Sequence, residues 1–384
     1  MSKSKKNTIN KQSRSKLGTR IFKRVNLRFK FLYKTLEALM GNSNKTKYYY
    51  PEIRRMNKIM RKFYKSPQLQ LKATDNLIPF NFETEDGVVI SALKYITDPN
   101  SKKWVVSLHW FAGHKYWSLY EARPFIELGY NILVFDFRNH GESQNTKFVT
   151  MGASEVKDFR AAMKWLYENH KPETVGLMGM SMGGFTMQYG VVKYNEEFVK
   201  YNIKWAISDS YYGSIKTLLV HTRNMWLKHF VSHKKVLKSI NKIIKNQIQD
   251  TGLDWEDLNV FQYYELDSNL KLIFPMFFLH CRNDNVTPFD DSMKLFVKRS
   301  IFSKDDEILI YDYSTHCLSL KHHYYQTVYR WLQFENKIMK DDEATERALR
   351  NLGISKEIID NNFLEKYEVN TLYVNSTNHK KKGN

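Results

Sequence analysis

The sequence predicts an α/β protein built on a largely parallel sheet with helices on both faces. Three observations predict it. Short apolar runs alternate with helical patterns from about residue 78 to 335. The 384 residues are 42% hydrophobic and 15% aromatic, enough for a substantial core and unlike a disordered or fibrous chain. A serine flanked by glycines stands where one apolar run gives way to a helix.

In chain order, the first element is a basic arm. Residues 1–72 hold 21 Lys and Arg against 2 Asp and Glu, a net of +19, so the chain's +20 leaves only +1 for everything else. Within the arm, Phe22, Val25, Phe29, Leu32, Leu36 and Leu39 step by three and four, the stripe of an amphipathic helix, with Lys23, Arg24, Arg28, Lys30 and Lys34 on its other faces. Such a helix can lie on an anionic bilayer, where each nearby cation adds about 1 kcal/mol. Packing on the body, self-association and binding of RNA or another polyanion stay open. No zinc-finger spacing or aromatic-basic RNA signature favours nucleic acid. A linker over 41–47 follows, and Pro51 opens a second short basic helix running to about Lys65.

From residue 78 the pattern changes. Stretches 80–85 and 88–95 alternate around Asp86-Gly87 as a hairpin. Strands are expected over 104–109, 131–137, 175–180, 204–208, 272–280 and 307–311. Helices are expected up to 128, over 154–168, 182–193 and 290–299, and from about 318. A helical block at 214–264 interrupts the rhythm. Residues 336–384 read as two short helices around Gly353 and a basic tail at 380–382.

No run of 18 apolar residues and no apolar h-region in the first 20 residues is present, so a cytoplasmic protein is expected. Cys281 and Cys317 cannot form a disulfide framework, and no Cys/His group has zinc spacing. A phosphate loop and a dinucleotide fingerprint are missing, and neither a metal nor an organic cofactor is expected.

The chemistry centres on Gly179-Met180-Ser181-Met182-Gly183, between an apolar run and a helix. A serine at a sharp strand-to-helix turn has its hydroxyl raised above the sheet, and glycines two residues either side avoid a collision across the turn. The helix start supplies N–H groups to a developing oxyanion. Such a serine needs a base and an orienting acid. His316, just beyond the last strand of the alternating block, is the base favoured over His109, His140, His221, His229, His233, His322 and His323. Asp284, after the strand ending at His280, is the favoured acid. Asp209 is its rival, and Asp290 or Asp291 fits a helix start better.

These residues resemble the α/β-hydrolase superfamily, of the serine esterase/lipase and acyl-aminopeptidase-like kind, over about residues 78–335. Asp136-Phe137-Arg138-Asn139-His140-Gly141-Glu142-Ser143 is similar to the family's D-x-R-x-H-G-x-S loop, and His109-Trp110-Phe111-Ala112-Gly113-His114 occupies the place of its H-G-x-x-G oxyanion loop. The resemblance implies Ser181 as nucleophile, Asp284 as acid and His316 as base, with backbone N–H groups of Met182 and Phe111 forming the oxyanion hole. Trp110 replaces the family's usual Gly. It cannot take glycine-only angles cheaply, which sets a spoiled second oxyanion donor against a narrowed acyl pocket.

The organisation implied is the basic arm at 1–72, an α/β-hydrolase domain at 73–335 with a helical cap at about 214–268, and the extension at 336–384. Residues 214–250 carry 8 basic residues and only Asp250 as an acid, interleaved with apolar ones. A basic, apolar cap points the pocket toward a membrane surface or an acidic amphiphile, against ordinary helix packing. Tyr211 and Tyr212, with Trp110, would line the pocket, or the tyrosines would anchor the cap.

The expected activity is hydrolysis of carboxylic esters of lipids or similar acyl groups, with the protein peripheral at the inner membrane face. The alternatives are a thioesterase or serine peptidase of the same fold, or an impaired hydrolase-shaped scaffold that binds membrane or RNA through its arm.

Overall fold

A computed structural model describes residues 53–72, 75–147, 149–227, 256–355, 358–359, 364–367 and 371–374, with scattered positions between 228 and 255. The amphipathic stripe at 22–39, the linker at 41–47, most of the cap block beyond 227 and the tail at 380–382 lie outside the described residues.

The strands in chain order are β1 Leu77–Glu83, β2 Val89–Tyr95, β3 Lys103–Leu108, β4 Asn131–Phe135, β5 Thr174–Met180, β6 Ile203–Asp209, β7 Met276–Cys281, β8 Glu307–Tyr311, β9 Leu364–Tyr367 and β10 Thr371–Val374. They form one sheet in the order β1-β2-β4-β3-β5-β6-β7-β8-β10-β9. All pairs from β4 to β10 are parallel. The pairs β1/β2, β2/β4 and β10/β9 are antiparallel.

Strands β4, β5 and β7 are buried at every position, which is why their sequences read as continuous apolar runs, whereas edge strand β1 is largely exposed. Successive side chains point to opposite faces. Trp104 and Val106 of β3 join a core with Phe159 and Leu166 of the helix Glu155–His170 and Phe185 of the helix Met182–Lys193. Val105, between them, joins the opposite core with Leu119 of the helix Lys115–Glu121 and Trp331 of the helix Tyr324–Met339. Buried Arg299 ties one helix to the sheet. Its Nε donates to Asp306 Oδ2 at 2.7 Å and its other nitrogens to Tyr264 Oη and the Phe274 carbonyl.

The C-terminal extension carries more than the two expected helices. The helix Asp342–Asn351 is followed by β9 and β10, which lengthen the sheet beyond β8. The described part of the basic arm packs on the body. Met56 and Met60 of the helix Ile53–Lys62, with Tyr64, Leu69 and Leu71, are buried in the second core. Tyr120 Oη donates to Asn57 Oδ1 at 2.6 Å, and Asn57 Nδ2 donates to the Leu71 carbonyl at 2.9 Å. Among the described residues no helix is long and apolar enough to cross a membrane.

Because Met60 is 1% exposed in this packing, Met60→Ala should destabilise the protein by about 2 to 5 kcal/mol. Chemical unfolding measures this, and an unchanged midpoint would show that the segment contributes nothing to the body.

Candidate active site

The order β4-β3-β5 reverses the direction in which the chain builds the sheet. Ligands of open parallel sheets bind at such a switch, outside the strands' carboxyl ends. The register levels those ends: Leu108 faces Gly179, Met180 faces Asp209, Asp209 faces Leu279, and Cys281 faces Tyr311. The loops that follow carry Phe111, Ser181, Ser210, Asp284 and His316.

Ser181 has φ 51° and ψ −114°, a conformation few non-glycine residues adopt. The turn is closed by contacts that leave no room for side chains. A Cβ on Gly183 would sit 2.3 Å from the Leu108 carbonyl oxygen, and one on Gly179 would sit 2.7 Å from the Gly183 carbonyl oxygen. The Ser181 N–H donates to the Asp209 carbonyl at 2.9 Å, pinning the turn to β6.

Asp284 is nearly saturated with donors. Its Oδ1 accepts from the N–H groups of Val286 at 2.7 Å and Thr287 at 2.9 Å. Its Oδ2 accepts from His316 Nδ1 at 2.8 Å and from Thr287 Oγ1 at 3.1 Å. Burial pushes the carboxyl up, but the attraction of His316 and hydrogen bonds from His280 and His316 outweigh it and hold Asp284 well below the usual carboxylate range. The bond to Asp284 leaves His316 Nε2 as the nitrogen for a serine. No hydrogen bond joins Ser181 to His316 among the described residues. Such contacts are often open in the absence of substrate. Ser210 links the parts: its carbonyl lies 2.9 Å from Thr287 Oγ1, whose one proton it shares with Asp284, and its Oγ accepts from the Cys317 N–H at 3.4 Å.

The N–H groups of Met182, in the first helical turn, and of Phe111 have no protein acceptor among the described residues. Trp110 does not carry the strain expected of it. Its φ is not positive, and the left-handed residue of the loop is Ala112, at φ 62°. The Trp110 carbonyl accepts from the Gly113 N–H at 2.9 Å and lies 2.7 Å from His109 Nδ1, which fixes the peptide that carries the Phe111 N–H. The Trp110 ring packs 5.4 Å from that of Trp117.

Tyr211 and Tyr212 do not line an open pocket. Both are 0% exposed. Their hydroxyls donate to the carbonyls of Asp291 and Met151, so they anchor the loop after β6. The loop 136–143 is structural as well. Asp136 accepts from the N–H groups of Lys115 and Glu142, and Arg138 pairs with Asp158 and Asp86. His109 Nε2 accepts from the Phe137 N–H at 3.0 Å, and burial holds the ring's pKa well below the usual histidine value. Asp209 makes no bond to His316 and instead accepts from Ser210 Oγ at 2.8 Å. Asp291 accepts from the Gly213 N–H.

Sequence reasoning missed His280 and Thr287. His280, in β7, faces Ser292 Oγ through Nδ1 at 2.6 Å, and its Nε2 lies 3.5 Å from Asp284 Oδ2 and 3.4 Å from Thr287 Oγ1. Its only sequence signal is a polar residue inside an apolar strand, four positions before the acid. His221 Nε2 lies 3.1 Å from the Asp284 carbonyl oxygen. Among the described residues no group of three or more His, Cys, Asp and Glu is placed to hold a metal ion.

A family model described as serine aminopeptidase, S33, matches residues 99–208. An esterase of Pyrococcus furiosus, Pf2001, has a similar structure with a TM-score of 0.52 at 21% identity, covering 68% of this chain and 93% of that one. Est1E of Butyrivibrio proteoclasticus, solved with ferulic acid bound, gives a TM-score of 0.52 at 15% identity, covering 68% of this chain and all of that one. No curated protein matches the sequence.

Asp209 gives a pH prediction. Burial raises its pKa to about 6, against hydrogen bonds from Ser210 and Ser319 and attraction to His280 and His316. A carboxyl raised above its unfolded value of about 3.9 stabilises the fold fully below that value and loses this contribution as pH rises through about 6, a change of about 3 kcal/mol. Asp209→Asn should therefore flatten the stability profile between about pH 4 and 6. Parallel wild-type and variant curves from denaturant titration would reject this assignment.

Proposed function

We propose, on the premise that this chain is an α/β-hydrolase by fold, that it is a serine hydrolase cleaving carboxylic esters of lipids or similar apolar acyl groups. The observation that carries this reading is the 2.8 Å contact between His316 Nδ1 and Asp284, on loops level with a serine held at φ 51°. As Ser181 Oγ attacks the acyl carbon, its proton passes to His316 Nε2. Asp284 keeps the imidazole in the required tautomer and stabilises the imidazolium. The carbonyl oxygen, now an oxyanion, accepts from the Met182 and Phe111 N–H groups, one such donor being worth about 3 to 4 kcal/mol. Collapse of the intermediate expels the alcohol, which takes the proton from His316. Water then repeats the sequence on the acyl-enzyme, releasing the acid and restoring Ser181.

The unstrained backbone of Trp110 supports a working oxyanion hole over a scaffold without catalysis, and its ring, packed on Trp117, supports an apolar wall beside the acyl group. The basic composition of residues 1–72 supports action at the inner face of a membrane. The match to a serine aminopeptidase family model favours one second reading, a peptidase with the same machinery.

A fluorophosphonate probe should label the wild type and not Ser181→Ala, and an unlabelled wild type would defeat catalysis by Ser181. In a panel of acyl esters, thioesters and aminoacyl amides the esters should turn over fastest. Faster amide turnover would select the peptidase. His280 Nε2 lies 3.5 Å from the Asp284 Oδ2 that His316 Nδ1 also contacts, so it helps hold that carboxylate in place. kcat/KM should fall severalfold in His280→Phe and be largely kept in His280→Gln, which keeps a donor. Equal kcat/KM values for the two variants would leave His280 without a positioning role.

A further inference from the structure

We propose that residues 53–72 form a rigidly mounted cationic face that docks the protein on an anionic phospholipid bilayer by charge, beside the mouth of the candidate active site. The proposal concerns attachment and does not depend on Ser181 being catalytic.

The segment holds seven Lys and Arg and no Asp or Glu. Arg54, Lys58, Arg61, Lys62, Lys65 and Lys72 are exposed, and none has a carboxylate partner among the described residues. The body treats its surface cations differently. Arg160 pairs with Glu85 and Glu197 at 2.8 Å, Lys298 with Glu265 at 2.7 Å, and Lys337 with Glu307 at 3.2 Å. Like charges four apart, such as Arg54 with Lys58 and Lys58 with Lys62, weaken an isolated helix. Here tertiary packing holds it, through buried Met56 and Met60 and the bonds made by Asn57. The cations are thus fixed on one face, and of the segment's large apolar residues Met56, Met60, Tyr64, Leu69 and Leu71 are committed to the core. Attachment through this segment is mainly Coulombic, unlike that of a free amphipathic helix.

The position of the face selects the partner. Phe63, at the end of the helix, is 51% exposed with Lys321 Nζ 3.7 Å above its ring. His322, the next residue, packs 5.6 Å from the ring of Tyr313, which is 61% exposed on the loop leading to His316. Tyr64 is buried against Trp117, with ring centres 6.1 Å apart, and Trp117 packs on Trp110 in the loop of Phe111. The cationic segment therefore reaches both loops of the site, with exposed Phe63 and Tyr313 beside the loop of His316. A bilayer offers anionic headgroups to the cations and hydrocarbon to these two rings.

The test is sedimentation of the full chain with vesicles of phosphatidylcholine, with and without phosphatidylserine, alongside binding to polyuridylate. The wild type should sediment only with the phosphatidylserine vesicles and be released by high salt, because the Debye length falls from about 10 Å at 0.1 M to 3 Å at 1 M. Each charge near the surface changes partitioning about fivefold, so Arg54→Glu, Lys58→Glu and Arg61→Glu together should lower it by at least about a hundredfold. Fluorophosphonate labelling should be unchanged. If that triple variant misfolds, the same three positions changed to Gln should still lose most of the binding. Wild-type partitioning by the triple variant, equal binding to pure phosphatidylcholine, or tighter binding to polyuridylate than to vesicles would overturn the proposal. Loss of vesicle binding with an unlabelled Ser181 would sustain it while defeating the proposed reaction.

Discussion

The backbone of Ser181 is the constraint on which the site depends. At φ 51° and ψ −114° the chain leaves β5 and enters a helix within one residue. Holding a non-glycine residue there costs on the order of 1 to 3 kcal/mol, and the conformation persists only where the surroundings over-determine it. They do so from three sides: Gly183 lies against the Leu108 carbonyl of β3, Gly179 lies against the helix start, and the Ser181 amide is bonded to β6. The same approach of helix to β3 brings the Met182 N–H and the loop bearing Phe111 to one place. The positions of the proposed nucleophile and of the proposed oxyanion donors are therefore one packing solution, and a side chain at Gly183 would disturb both.

A charged carboxylate under the sheet end is the second requirement. Asp284 is 3% exposed, so its charge must be compensated inside the protein. Two backbone N–H groups do this from its own loop, and Thr287 and His316 complete it. The local bonds form whether or not the neighbouring loop is seated. The bond to His316 requires that the loop after β8 reach the loop after β7, which the parallel pairing of the two strands provides.

Much of this was legible in the sequence because the features are local. The run 307–311 and the helix Met182–Lys193 have the expected bounds, since each is an apolar or amphipathic pattern bounded by turn residues. Other features depend on tertiary neighbours. Four-residue strands β9 and β10 are too short to show alternation, and they exist as a sheet extension because β8 offers an edge. Tyr211 and Tyr212 looked like pocket residues from their place after a strand, but the carbonyls of Asp291 and Met151 draw them inward. The packing of the basic segment did leave a sequence signal, in Met56, Met60 and Tyr64 at steps of four, hidden among the cations. The 2.8 Å contact between Asp284 and His316 joins loops of different strands, which no spacing could give.

Asp209 and Asp284 both end near a strand of the same sheet, both are buried, and sequence alone leaves them as rivals. Their surroundings separate them. Asp209 has hydroxyl donors and remote histidines, so burial prevails and the neutral acid is favoured up to about pH 6. Asp284 has amides, a threonine and two histidines close to its oxygens, so the anion is favoured. An orienting acid must also be bonded to the imidazole that takes and returns the proton: Asp284 lies 2.8 Å from His316 Nδ1, whereas Asp209 is bonded to Ser210. The proposed acid is thus the carboxyl that the fold both keeps charged and joins to His316, and proximity to the end of a parallel strand is not enough to decide it.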